Sequence, residues 1–295
     1  MLKFKKLKHN SLQLKKFYEQ SKIEFCDISV GVKFLWRDEF KISYAIYNDT
    51  LILKETNKEL KDAFYYPMGK DEAGALEEII NLTLKKGRDL TICYLDEERV
   101  ELLKNRFSSA ESYFDRDWSD YLYDAKSFKE LIGRKYSGQR NHINKFKKLY
   151  PDYEYKRIEK ADIKGIKKFL TKYNKAKSHG GLMEKAENRH LLEYLKNLDA
   201  LNSIGAIIKV GGEVVALTAG ERIKNTFIVH VEKALVKYSG VYPTIANLFI
   251  NDVIDSDIDT INREEDCGDE GLRVSKTQYH PKEIKNKYIL KIKAQ

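Results

Sequence analysis

The sequence predicts a mixed α/β (α+β) protein built as two tandem units of related element order. Three observations predict it. The 295 residues fall at the length, about 250–300 residues, where one hydrophobic core stops growing and chains divide. Apolar, β-branched runs alternate with segments of helical spacing, as in mixed sheets flanked by helices. One short order then occurs twice: a turn between two strands, a glycine loop, a helix and a further strand. The divide is expected near residue 130, where an acidic-aromatic segment (115–124) gives way to a basic one, so the domains are 1–130 and 131–295.

In the N-terminal half, strands Lys41–Tyr47 and Thr50–Lys54 flank the turn pair Asn48-Asp49. Phe64–Tyr66 leads to Pro67-Met-Gly69, a helix over about Asp71–Lys86 and a strand at Leu90–Leu95. The C-terminal half opens with a strand at Tyr153–Ile158 and helices over Ala161–Lys175 and Ala186–Leu198. Strands Ser203–Val210 and Glu213–Ala219 follow, joined by Gly211-Gly212, the residues a two-residue hairpin with positive φ requires. A third strand, Asn225–Ala234, precedes the loop Lys237-Tyr-Ser-Gly240-Val241-Tyr242-Pro243. Pro243 suits a first helical turn, and Ile245, Leu248, Phe249 and Val253 recur at helical spacing. Asp259–Arg263 reads as a strand, Gly271–Gln278 as a short helix and Lys287–Lys293 as an alternating last strand.

Composition narrows the classes. A hydrophobic fraction of 42% excludes disorder, and no apolar run approaches the length of a membrane span, about 20 residues. Met1–Lys16 carries six Lys and no acid, without the apolar centre of a secretory signal, so the cytoplasm is the expected compartment. The 3 Cys have no CxxC spacing, and His179, His190 and His280 are not spaced as metal ligands, so no metal is expected. GxSxG, GxxxxGK[ST] and HExxH do not occur. The net charge of +9 permits acidic partners, but only 12 of the 54 basic residues are Arg, as compositional drift toward Lys would also give.

Three constellations carry possible chemistry. On the strand His230-Val-Glu232-Lys233, alternation puts His230 and Glu232 on one face, just before a glycine loop and a helix start. Glu232 would serve as general base toward an amine, and His230 would assist proton transfer or bind the acyl donor; a merely salt-bridged polar face reads the same way. The acid-free stretch Arg134–Tyr150 places Arg140, Asn144, Lys147 and Lys148 on one helical face, with Ile143, Phe146 and Leu149 inward. With Arg134, that face fits phosphates of an RNA or cofactor, and equally a solvated lysine-rich surface. The third, Asn262-Arg-Glu264-Glu-Asp266 with Arg273 and Lys276, mixes charge at a strand end. Asp266 or Glu264 would position an amine and Arg273 an anion, and Tyr279 is a candidate acid for the leaving group.

His230-Val-Glu-Lys-Ala234, Tyr238-Ser-Gly-Val-Tyr242, Asn262-Arg-Glu-Glu-Asp-Cys-Gly268 and Glu270-Gly-Leu-Arg273 with Lys276 together resemble a bacterial family sharing the C-terminal domain of phosphatidylglycerol lysyltransferases. Arg140-Asn-His-Ile-Asn144 and Phe64-Tyr-Tyr-Pro-Met-Gly69 extend the resemblance over most of the chain. It implies two tandem GNAT-like acyltransferase domains, in which the strand bearing His230 and Glu232 splays from its neighbour and the acyl donor lies in the gap. The expected function is an acyl- or aminoacyl-transferase, moving a group from aminoacyl-tRNA or a CoA thioester to an amine or hydroxyl acceptor: a small molecule, peptide or lipid headgroup. Lys237, Gly240, Val241, Tyr242, Arg273 and Lys276 would hold the donor, and Asn262, Glu264 and Asp266 would line the acceptor pocket. The loop reads Lys237-x-x-Gly240-x-Tyr242 where CoA-binding members of the fold carry Arg/Gln-x-x-Gly-x-Gly/Ala. The N-terminal unit, whose Gly69 loop follows no His/Glu strand, is expected to be a scaffold. The rival reading is a non-catalytic module binding RNA, nucleotide or peptide on a degenerate transferase fold.

Overall fold

The computed structural model describes residues 2–7, 9–176 and 182–294, so His179 lies outside the described residues. In chain order the first elements are β1 (Lys5–Lys6), α1 (Lys15–Gln20), α2 (Val30–Trp36), β2 (Ser43–Tyr47), β3 (Thr50–Glu55), β4 (Ala63–Tyr65) and β5 (Met68–Gly69). Then come α3 (Glu72–Leu82), β6 (Leu90–Leu95), α4 (Glu97–Arg106), β7 (Ala110–Phe114), β8 (Asp120–Asp124), α5 (Ala125–Glu130), α6 (Ser137–Leu149) and β9 (Glu154–Arg157). The remainder is α7 (Ile163–Ala176), α8 (Leu182–Lys196), β10 (Ser203–Val210), β11 (Glu213–Ile223), β12 (Thr226–Ala234), α9 (Val241–Val253), β13 (Thr260–Asn262), α10 (Glu270–Thr277), β14 (Glu283–Lys285) and β15 (Tyr288–Ile292).

Contacts divide the chain into two units, Met1–Asp120 with Lys285–Gln295, and Tyr121–Ile284. The first holds a sheet of order β1-β2-β3-β4-β6-β15-β7, with β5 beside β3; the second holds β14-β8-β13-β12-β11-β10-β9. Two segments therefore fall differently from a single cut near residue 130. β8 pairs with β13, Leu122 opposite Asn262, and belongs to the second sheet. β15, expected as the last strand of the second half, lies inside the first sheet between β6 and β7. Alternating polarity identifies a strand but does not name its neighbours.

Turn chemistry builds both hairpins as the sequence implies. Gly211 and Gly212 (φ 57° and 76°) join β10 to β11, and Asn48 and Asp49 (φ 44° and 54°) join β2 to β3. Left-handed turns match the right-handed twist of the paired strands. In the second unit α9 lies over the sheet. Phe249 and Ile250 share a buried cluster with Phe227 and Val229, and Ile245 shares one with Ile208, Val215 and Ala234. No helix among the described residues is long and apolar enough to cross a membrane.

Candidate active site

The site is set by where two parallel strands part. β12 and β13 pair only through Thr226–Ile228 and Thr260–Asn262. β12 then continues beside β11, while the chain after Asn262 turns through Glu264, whose φ is 57°. A second irregularity lies on β12 itself. Val231 opposes Ala219 and Val229 opposes Gly220, so His230 is an inserted residue, a β-bulge. A Cβ on Gly220 would lie 2.1 Å from the Ile228 carbonyl oxygen, so the bulge requires glycine there.

The bulge corrects the expectation that His230 and Glu232 share a face. Val229 and Ala234, an odd and an even position, both pack on the α9 side. Alternation must therefore reverse between them. On the other face His230 meets the Tyr194 ring of α8 edge-on at 6.1 Å, and the Lys233 ammonium lies 5.0 Å over Tyr173 of α7. Glu232 stands on the α9 side, where Arg263 donates to its Oε1 at 2.9 Å.

Arg263 is the centre of this side. Its guanidinium lies 4.9, 5.6 and 6.0 Å from the ring centres of Tyr279, Phe128 and Tyr123. Tyr279 stacks on Phe128 with ring centres 4.7 Å apart. Burial raises the Tyr279 and Tyr123 hydroxyls above the usual phenol range despite the nearby guanidinium, so both remain protonated donors. Glu232 keeps 16% of its side chain exposed, and among the described residues only its Oε1 is engaged.

On the opposite face the His230 ring is wholly buried between two carboxylates. Nδ1 is 2.7 Å from Glu264 Oε1 and Nε2 is 3.0 Å from Glu221 Oε1. Burial alone disfavours the imidazolium, but the hydrogen bonds and charges of Glu221 and Glu264 outweigh it and raise the group to about 9. Asn262 accepts from the Glu264 N–H at 2.8 Å and so shapes this turn through the backbone.

Several expected ligand contacts are corrected by packing. The Lys276 ammonium is buried and donates to the main-chain carbonyls of Arg263 and Glu265, and desolvation lowers its pKa. It braces the loop and offers nothing to a phosphate. Asp266 is buried and accepts from Tyr121 (2.7 Å), the Gly268 N–H (3.0 Å) and Arg273 (3.0 Å). Burial opposes its ionisation, but Arg273 and these donors outweigh it and hold the carboxyl at about 2. Asp266 and Arg273 thus clamp the loop to α10 instead of taking an amine and an anion.

The Gly240 loop is likewise packed. Gly240 (φ 83°) lies under α6: a Cβ there would sit 2.1 Å from the His142 carbonyl oxygen and 3.2 Å from the Phe146 Cβ. Val241 is core, Tyr242 packs at the edge of the same cluster, and the exposed Lys237 lies 5.1 Å over Tyr238. The glycine is thus required by helix packing, since a carbonyl of α6 occupies the place its Cβ would take.

The basic helix is partly as expected. Gln139, Ile143 and Phe146 of α6 are buried, whereas Leu149, expected inward, is 51% exposed. Arg140, Asn144 and Lys147 line a surface hollow of about 570 Å³ with Lys129, Asn247 and Asn251. Arg140 also donates to the carbonyls of Leu131 and Gly133, closing the end of α5. Arg134 and Lys148 are exposed but do not line the hollow.

Reading the residues in order gave Arg263, Glu221, Tyr123 and Phe128 no role. Gly220 inside a strand was the one available signal, since an interior strand glycine marks a bulge. Nothing local marks the rings that surround Arg263, because they come from β8, α5 and the end of α10.

The fold and the sequence agree with known proteins. No curated protein matches the chain. A conserved protein of unknown function from Bacteroides thetaiotaomicron is similar at 31% identity and a TM-score of 0.91, covering 99% of this chain and 100% of that one. L-PGS from Bacillus licheniformis superposes at 0.66 with 15% identity over 96% of this chain and 92% of that one. FemX superposes at 0.64 with 6% identity over 97% and 96%. At such identities the last two show the fold: tandem GNAT-like α/β units. The family model described as phosphatidylglycerol lysyltransferase, C-terminal, matches residues 21–291, and the chain belongs to that family.

Proposed function

We propose that the protein is an acyl- or aminoacyl-transferase working where β12 and β13 part, with Glu232 as its working carboxylate. The observation that carries this is Glu232 itself. Arg263 fixes one of its oxygens, while the other, on a partly exposed side chain, has no partner among the described residues. An amine or hydroxyl acceptor would hydrogen-bond that oxygen, lose its proton to it directly or through a water, and attack the donor carbonyl. Arg263 balances the carboxylate in a site walled by aromatic rings, where electrostatic pairing is strong. The protonated Tyr279 hydroxyl is the candidate acid for the leaving oxygen or sulfur.

An aminoacyl-tRNA ester is the donor the packing favours over a CoA thioester. Gly240 packs against the His142 carbonyl of α6, and Tyr242 stands where CoA-binding members of the fold carry Gly or Ala. The helix residues Arg134, Arg140, Asn144, Lys147 and Lys148, exposed except at Arg140, would take donor phosphates. The same loop favours, as a second reading, a module that binds without turnover.

The test is single-turnover transfer to a panel of amines and hydroxyl acceptors, from charged total tRNA and from acyl-CoA. Wild type is expected to transfer from the former, and Glu232→Gln to lose about 10²–10⁴-fold in rate. Equal rates for both proteins would remove Glu232 from the mechanism, and binding of charged tRNA with no transfer would leave the module reading.

A further inference from the structure

We infer that His230 is a doubly protonated strut, a positioning residue that ties Glu264 to Glu221 and thereby holds the Arg263–Glu232 pair, and that it transfers no proton. The positioning role rests on the reading of Glu232 as the working carboxylate; the charge state does not.

Donors and acceptors decide the state of the ring. Carboxylate oxygens only accept, and both ring nitrogens lie against one, at 2.7 and 3.0 Å. Each contact needs a hydrogen on nitrogen, which only the imidazolium supplies twice. The side chain is 0% exposed, so neither ring nitrogen is left for a substrate. Among the described residues, the groups facing the ring are Glu221 from β11, Glu264 from the turn after β13 and Tyr194 from α8. On its own strand, Lys233 is turned onto Tyr173 and Glu232 onto Arg263. Burial keeps Tyr194 neutral, so the two carboxylates are the charges that decide the state. Glu264 is held left-handed directly after Arg263, so a strut that fixes Glu264 also fixes where the guanidinium starts.

The first unit carries the same device in other residues. β4 and β6 pair in parallel, Tyr65 opposite Cys93, and the next residue, Tyr94, is again left-handed (φ 56°). There Lys33 donates to the Tyr65 hydroxyl at 2.5 Å, Tyr65 donates to Glu55 Oε2 at 2.5 Å, and Tyr94 donates to Glu55 Oε1 at 3.2 Å. Two unrelated sets of side chains thus tie a buried carboxylate, a cation and a left-handed residue at the parting of the same two strands. The cation of the second set is a histidine, raised to about 9 by its two carboxylates.

The test is a histidine side-chain ¹⁵N–¹H spectrum of the full-length protein, with the His230 signal assigned by its loss in His230→Gln. Both ring nitrogens are expected to carry hydrogen at pH 7.5, and Glu264→Gln is expected to lower the titration midpoint by about 1–3 pH units. A neutral ring at pH 7.5 would overturn the strut. The transfer assay then tests positioning: wild-type rate should fall above pH 9, and His230→Lys, which keeps a cation, should move that limb to higher pH. A limb that stays in place alongside a proven imidazolium would overturn the positioning role alone. Absence of transfer from every donor would count against the function and leave the spectrum standing.

Discussion

Each unit starts a helix just after a glycine-bearing segment and holds a carboxylate near its aromatic rings, but the two units leave these features in opposite states. In the first, α3 begins on Asp71, whose carboxylate accepts the Gly74 N–H at 2.9 Å and receives Asn48 at 3.0 Å. In the second, α9 begins on Gly240 with no side-chain cap. Glu55 of the first unit is wholly buried among Tyr65, Tyr94 and Asn57, whereas Glu232 of the second keeps an open oxygen. A helix start already holding its own anion, and a carboxylate already satisfied, leave little for a ligand. The difference supports scaffold for the first unit and chemistry for the second.

The largest effect that would break this comparison is the loss of transfer expected for Glu232→Gln; a comparable loss in Asp71→Ala would move chemistry toward the first unit. Next is alkaline stability. His230 is raised from 6.5 to about 9, so its contribution is complete below pH 6.5 and lost as pH rises through 9. That loss amounts to roughly 3 kcal/mol by proton linkage. Urea unfolding from pH 6 to 10 should show it in wild type and not in His230→Gln, and parallel curves would contradict it. Gly240→Ala should cost at least about 1–3 kcal/mol from its left-handed φ alone, before the clash with His142. An unchanged melting temperature would mean that α6 does not lie over the loop. Asp71→Ala should cost about 1 kcal/mol as a lost helix cap, with transfer unaffected.

Much of this was legible in the residues. Gly211-Gly212 and Asn48-Asp49 gave the hairpins, because left-handed φ is written in a few side chains. Glu232, the glycine loop and Asn262–Asp266 located the region where β12 and β13 part. What stayed hidden was non-local. One inserted residue at His230 reverses the alternation that seemed to pair it with Glu232, and only the partner strand reveals an insertion. The family resemblance assigns Gly240 to donor binding, yet its missing Cβ makes room for α6, some hundred residues earlier in the chain. Arg263 sat in plain view, but its three rings converge on it only after folding.

β15 carries a further consequence, for synthesis. The first unit's sheet has its sixth strand, between β6 and β7, supplied by residues 288–292. A ribosome that has made residues 1–120 has therefore made a sheet with a gap, and β6 and β7 present unpaired edges until the far segment emerges. Pairing across such a separation is slow, and open edges invite other chains. The usual order in which an earlier unit folds first does not suit this sheet, which has to wait for a strand made after the second unit.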